Sequence, residues 1–159
     1  YKRQGKCCPP CGDTGIPGHR WGFKIEAYDG IQENIALVDR PAGGCAIVHS
    51  DSDEGIRRLN QEAAKAMLRG NRAGLDIPPE RAIQWITYNA AKSLGVQEQT
   101  GSVEPGKMAD VVLWSQDPFS VYAKPLQVYI DGVLRYEQNN PSLSPQSDYE
   151  LGQLMGAVQ

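Results

Sequence analysis

Apolar residues recur along the chain with two periods, and the change from one to the other divides it. In the first half the spacing is helical. Ile31, Ile35 and Val38 share one face, which predicts a helix from Tyr28 or Asp29 to Asp39 with Asp29 as its N-cap, closed by Pro41 and Gly43-Gly44. From about Asp53 to Gly70 a second helix is predicted. Ile56, Leu59, Ala63, Ala66 and Met67 form its apolar stripe, while Arg57, Arg58, Gln61, Glu62, Lys65 and Arg69 take the polar side. Ser52 is the candidate N-cap, and Asp53 and Glu54 suit the positive end of the helix dipole. Pro78-Pro79-Glu80 opens a third helix, with Ile83, Ile86, Ala90 and Leu94 as its buried stripe and Gly95 just past its end. Between the first two helices, Ala46 to Ser50 reads as a short strand. Alternation sets Ile47, His49 and Asp51 on one face and Ala46, Val48 and Ser50 on the other.

From Thr100 the period becomes that of strands. Glu104-Pro105-Gly106-Lys107 has Pro and Gly where a type II turn wants them, and Ala109 to Trp114 is a buried-strand candidate. Gln127 to Ile130 and Val133 to Tyr136 flank Asp131-Gly132, a strong hairpin signal. These strands make a small β unit, and the Asn, Ser and Pro content after Glu137 predicts a tail. At the other end, residues 1–20 hold Pro9, Pro10, Pro17 and four Gly with almost nothing apolar to bury, so little regular structure is expected there. Trp21 to Ile25 is a short-strand candidate.

Composition narrows the partners. A net charge of −3 lacks the basic face that nucleic acid or an anionic membrane surface would need. No apolar run approaches the roughly 20 residues of a membrane span, so the chain reads as soluble, with its location left open. At 159 residues it is long enough for one domain with a core but short of the about 250 residues of a whole (β/α)₈ barrel. It starts at Tyr1 without an initiator Met or an apolar signal segment, which is read as a truncated, processed or fragmentary product.

The four cysteines are Cys7, Cys8, Cys11 and, far away, Cys45. Cys8 and Cys11 have the C-x-x-C spacing of a metal or dithiol site, but His19 and Cys7 are the only nearby donors that would complete a zinc set. The bland alternative is a Gly/Pro-rich leader whose thiols do nothing specific. Trp21, Trp85 and Trp114 fit packing better than substrate platforms, and Lys107 and Asp110, beside a turn and a strand start, fit structural roles.

Gly101-Ser102-Val103-Glu104-Pro105-Gly106-Lys107-Met108-Ala109-Asp110-Val111-Val112 resembles the C-terminal signature of the metal-dependent amidohydrolase superfamily. Asn89-Ala90-Ala91-Lys92-Ser93-Leu94-Gly95 is similar to that family's Asn-Pro-Ala-x-x-Leu-Gly helix end, with Ala90 in place of Pro. Asp117 to Ala123 and the Val128 to Gly132 hairpin resemble the branch of imidazolonepropionase-related enzymes, in which His-Ser-Asp-Ser ends the eighth barrel strand. The likeness runs from about Trp21 to Tyr136.

The resemblance implies an α/β fold: the last βα units of a TIM-type barrel over residues 21–97, then part of a small β-sandwich over 98–137, between a leader at 1–20 and a tail at 138–159. Taken alone such a chain is mixed α+β. It also implies a divalent metal, zinc by family habit, and hydrolysis of amide, non-peptide or cyclic amide bonds by a metal-activated water. The eighth-strand Asp carries over onto Asp51, as metal ligand and acceptor of the water's proton. His49 would orient that carboxylate or line the pocket, or else serve as a packed barrel histidine.

The family's other metal ligands are a His-x-His pair, a carboxylated Lys or Glu, and two single histidines. This chain has only His19 and His49. It is therefore expected to hold metal weakly and to be inactive alone. Without its barrel neighbours the strand would have two unpaired edges, and the helices would lack the surface they cover. That predicts self-association or docking onto a chain carrying the missing strands. The alternative is a non-catalytic interaction or assembly module derived from the same family.

Overall fold

The computed structural model describes residues 12–15 (as backbone), 31, 33–41, 43–50 and 55–143. The element at its centre is β2 (Ala46–His49), which pairs in parallel with β1 (Gly12–Gly15). The chain passes from one to the other through α1 (Asn34–Asp39), so the three form a βαβ unit. The expected alternation holds: Ala46 and Val48 are buried, while Ile47 and His49 on the opposite face are half-buried. Strand β1 lies inside the stretch expected to be irregular, which corrects that reading over Gly12–Gly15. Parallel pairing uses main-chain donors and acceptors, which glycines carry as well as any residue, so an absence of apolar side chains did not exclude it. The Trp21 to Ile25 candidate and the Asp29 cap fall outside the described residues.

The second edge of β2 is also occupied, contrary to the two open edges expected. The Val48 N–H donates to the Trp85 carbonyl at 3.1 Å, and the Asn89 amide Nδ2 donates to the Ala46 carbonyl at 2.8 Å. This accounts for a break in the helix expected to run unbroken from Pro79 to Leu94. It is split into α3 (Pro79–Gln84) and α4 (Tyr88–Leu94), because the Trp85 carbonyl leaves the helical ladder to reach the strand. The buried stripe shifts accordingly to Ala82, Trp85, Asn89 and Ala91, and Leu94, expected inside, is 78% exposed.

Helix α2 (Leu59–Arg72) packs Ala63 and Ala66 into the core with Ile35, Ala36, Val48 and Trp85. It is preceded by a 3₁₀ turn, Gly55–Arg58, whose tighter winding takes Ile56 off the expected stripe and leaves it 60% exposed. Glu62, expected on the polar side, is buried and pairs with Lys65 Nζ at 2.6 Å. Close approach fixes the helix position. A Cβ on Gly70 would lie 2.5 Å from Ile77 Cδ1 and 2.8 Å from Ala36 Cβ, so only glycine lets α2 sit this near α1.

An ion pair locks the approach to β2. Arg81 Nε and Nη2 reach the two carboxylate oxygens of Asp39 at 2.5 and 2.7 Å, and Nη2 also donates to the Gly44 carbonyl at 2.9 Å. The planar guanidinium thus ties the end of α1, the loop before β2 and α3 together.

The remaining sheet has the order β3-β4-β5, all antiparallel, from β3 (Val111–Trp114), β4 (Pro125–Ile130) and β5 (Val133–Glu137). Asp131 and Gly132 both have positive φ, 51° and 75°, the geometry of a type I′ hairpin turn as expected. Strand β3 was expected to be buried, yet Val112 and Leu113 are exposed, since no second layer covers that sheet among the described residues. Asn60 Nδ2 joins the two parts of the fold by donating to the Pro118 carbonyl at 2.6 Å.

Trp85 is fully buried. Trp85→Ala is expected to destabilise the chain by about 3–5 kcal/mol in urea denaturation. Leu94→Ser, at a position the helical period alone would place in the core, is expected to change stability by no more than about 0.5 kcal/mol.

Candidate functional site

Strand β2 delivers His49 at its end, on the same face as Ile47, and the chain continues through Ser50 towards Asp51. Asp51, with Ser52 and Asp53, lies outside the described residues, so the predicted catalytic carboxylate is located by sequence only. His49 is the sole histidine among the described residues. Among those residues no three His, Cys, Asp or Glu side chains converge on a point that could hold a metal ion. The described donors therefore do not make a metal centre by themselves.

The Gly101 to Val112 stretch builds a different arrangement, a clasp around the hairpin. Thr100 Oγ1 donates to Asp110 Oδ2 at 2.7 Å, and the Asp131 N–H donates to Asp110 Oδ1 at 2.9 Å. Beside them the Gly132 N–H donates to the Ala109 carbonyl at 3.1 Å. Hydrogen bonds from Thr100 and then from the Asp131 backbone favour the carboxylate, holding the Asp110 pKa below its ordinary value. Lys107 Nζ donates to Ser102 Oγ at 2.6 Å and lies 3.4 Å from Glu104 Oε1, above the Tyr88 ring at 5.9 Å. The Ser102 hydroxyl first, and the Lys107 charge next, likewise lower the Glu104 pKa. Both acidic residues are spoken for structurally, as the sequence reading of Lys107 and Asp110 anticipated.

A groove of about 810 Å³ runs along α3, α4 and the 100–104 segment. Ile83, Ile86, Leu94, Val96 and Val103 supply its apolar wall, and Glu80, Glu104 and Asp110 add negative charge. The pair α3 and α4 thus carries two apolar sides, one turned to β2 and one to this groove. A helix apolar on two sides is what a larger core requires.

Residues 36–135 match the family model described as "Amidohydrolase family". The chain belongs to the amidohydrolase family. Among relatives of this amidohydrolase chain, "Amidohydrolase tasK" of Hapsidospora irregularis is 36% identical over 117 residues, covering 72% of this chain and 11% of that protein. An imidazolonepropionase of Picrophilus torridus is 41% identical over 61 residues, covering 38% of this chain and 15% of that protein. The crystal structure of an amidohydrolase from Thermotoga maritima superposes with a TM-score of 0.59 at 35% identity, covering 72% of this chain and 28% of that one. This amidohydrolase chain therefore belongs to the TIM-barrel superfamily and spans only a small part of the relatives it matches. The family hydrolyses carbon–nitrogen bonds and is typically metal-dependent.

Some functional geometry had no signal in the sequence. Asn89 lies within the recognised helix-end motif, but its reach to the Ala46 carbonyl appears only in the fold. The Asp39–Arg81 pair joins residues 42 positions apart that no spacing rule connects.

The Asp110 clasp has a testable pH dependence. Because its folded pKa is depressed, the stabilisation is fully present above the unfolded carboxyl value of about 4 and is lost as pH falls through the lowered folded value. Protection of the Asp131 amide, taken relative to the exchange rate of an unstructured amide at the same pH, is expected to hold down to about pH 4 and to fall below it. In Asp110→Asn, which keeps the shape without the charge, that acid-dependent step should disappear.

Proposed function

We propose that this chain is the C-terminal portion of an amidohydrolase that cleaves amide, non-peptide or cyclic amide bonds, and that it is inactive until the rest of the barrel is supplied. Residues 21–97 are its last barrel βα units and 98–137 part of its small β-sandwich. The observation that carries this reading is the placement of β2, buried through Ala46 and Val48 within the matched region and leading directly into Ser50 and Asp51.

In the assembled enzyme a divalent ion, zinc by family habit, would polarise the attacking water. The residues of this chain have narrower tasks. Asp51 contributes one ligand and accepts a proton, a role suited to a carboxylate beside a cation. His49 lines the pocket or orients Asp51. The remaining donors come from strands this chain does not contain, so it holds the metal weakly. Their absence here also supports self-association or a partner chain carrying the missing strands, while a net charge of −3 gives no basic face for nucleic acid or an anionic membrane.

Complementation tests this. The Thermotoga maritima amidohydrolase, with the part equivalent to this chain removed, is mixed with this chain and zinc and assayed on simple and cyclic amides. Turnover is expected only in the mixture, and Asp51→Ala should reduce it by about 100-fold or more. Asp51-dependent turnover by the chain alone would refute its inactivity. A stable, metal-free oligomer that never complements would favour the alternative, a non-catalytic assembly module.

A further inference from the structure

Two surfaces of the chain answer each other in charge, and the hydrolytic reading uses neither. One is the outer side of α2. Gln61, Lys65, Leu68 and Arg72 recur at intervals of four, three and four residues, which places them on one face, opposite the buried Ala63, Ala66 and Gly70. Leu68 is 50% exposed there, with Arg69 beside it. Lys65 is held by Glu62, but Arg69 and Arg72, like Arg57 and Arg58 in the turn before the helix, are exposed and enter no ion pair among the described residues. The stripe is basic and its charge is uncompensated.

The other surface is the groove along α3 and α4. Its wall exposes Leu94 and Val103, the latter to 85%. Its carboxylates are poorly balanced. Only Glu104 has a cation beside it, Lys107 at 3.4 Å, whereas Asp110 is held by the uncharged Thr100 hydroxyl and Asp131 N–H, and Glu80 enters no ion pair among the described residues. No residue of α2 lines this groove, so within one molecule the two surfaces do not cover each other. Both are carried by the same chain, so a solution of it holds stripe and groove at equal concentration.

We propose that the outer face of α2, led by Leu68, Arg69 and Arg72, seats in the α3–α4 groove of a second copy of this chain. The proposal rests on the reading that the chain stands apart from the rest of its barrel and self-associates, and it names the contact. An amphipathic helix laid into an apolar groove is a recurring mode of recognition. Leu68 meets the wall at Leu94 and Val103, the arginine stems lie along it, and their guanidinium groups reach the carboxylates of the rim. Stripe and groove are different patches, so two copies that exchange helices close a dimer, while one-way seating adds further copies.

Sedimentation velocity of the full chain over a range of concentrations tests the contact. Association is expected at low salt, and raising NaCl from about 0.05 to about 0.5 M should weaken it at least about tenfold, because the rim pairs are screened. The double variant Arg69→Glu, Arg72→Glu and the single variants Leu68→Ser and Leu94→Ser alter exposed positions, so circular dichroism should match the parent chain. Each is expected to weaken association at least about tenfold, by charge reversal or by loss of apolar contact. Mixing decides the geometry. The double variant keeps an intact groove and Leu94→Ser an intact stripe, so the mixture should associate more tightly than either variant alone. Oligomers that ignore these substitutions, or variants that do not recover on mixing, overturn this contact and leave self-association by another surface standing. A chain that stays monomeric at low salt overturns both, and the complementation assay reads the hydrolytic assignment separately.

Discussion

The half of the described fold that precedes the C-terminal sheet depends on the hydrogen bonding of one four-residue strand. Strand β2 is buried through Ala46 and Val48, and buried main-chain donors and acceptors are costly unless paired. One side is met by β1 in parallel, the other by the Trp85 carbonyl and the Asn89 amide. The second solution dictates the break between α3 and α4, the full burial of Trp85 and the displacement of the apolar stripe. The Asp39–Arg81 fork then holds the loop that feeds the strand. A family position that ends a barrel strand is thus kept in place by β1 on one edge and by α1, α2 and α4 around it.

The legible part of the fold was the part set by local rules. Asp131-Gly132 needs two positive φ angles, and few other dipeptides tolerate them, so the hairpin was readable from two letters. Alternation along Ala46 to His49 was equally secure, because a strand has only two faces. Failures came where a distant partner overrode the local period. Ile83, Ile86 and Leu94 do lie on a helical stripe, but β2 claims a different one, through a carbonyl whose use no propensity reports. Strand β1 escaped notice because its pairing rests on main-chain atoms, to which hydropathy is blind.

For the site, the sequence was informative about chemistry and silent about geometry. Asp51 was singled out by its motif, and the Gly101 to Val112 signature fixed the family. What that signature does among the described residues is mechanical: Asp110 and Lys107 organise turns. A conspicuous motif can therefore name a family through residues whose visible contacts are structural. The groove along α3 and α4 adds a complementary point, since its apolar wall is built from the stripe that periodicity had placed in the core.

The Asp110 clasp also differs from the βαβ unit in the length of chain that its contacts close. Its contacts join residues 10 and 21 positions apart, and the β4–β5 turn is tighter still, whereas the pairing of Gly12 with Ala46 must close a loop more than three times as long as the span from Thr100 to Asp110. Short loops close first and at lower entropic cost. The C-terminal sheet therefore closes at a lower loop-entropy cost than the βαβ unit that carries the strand end.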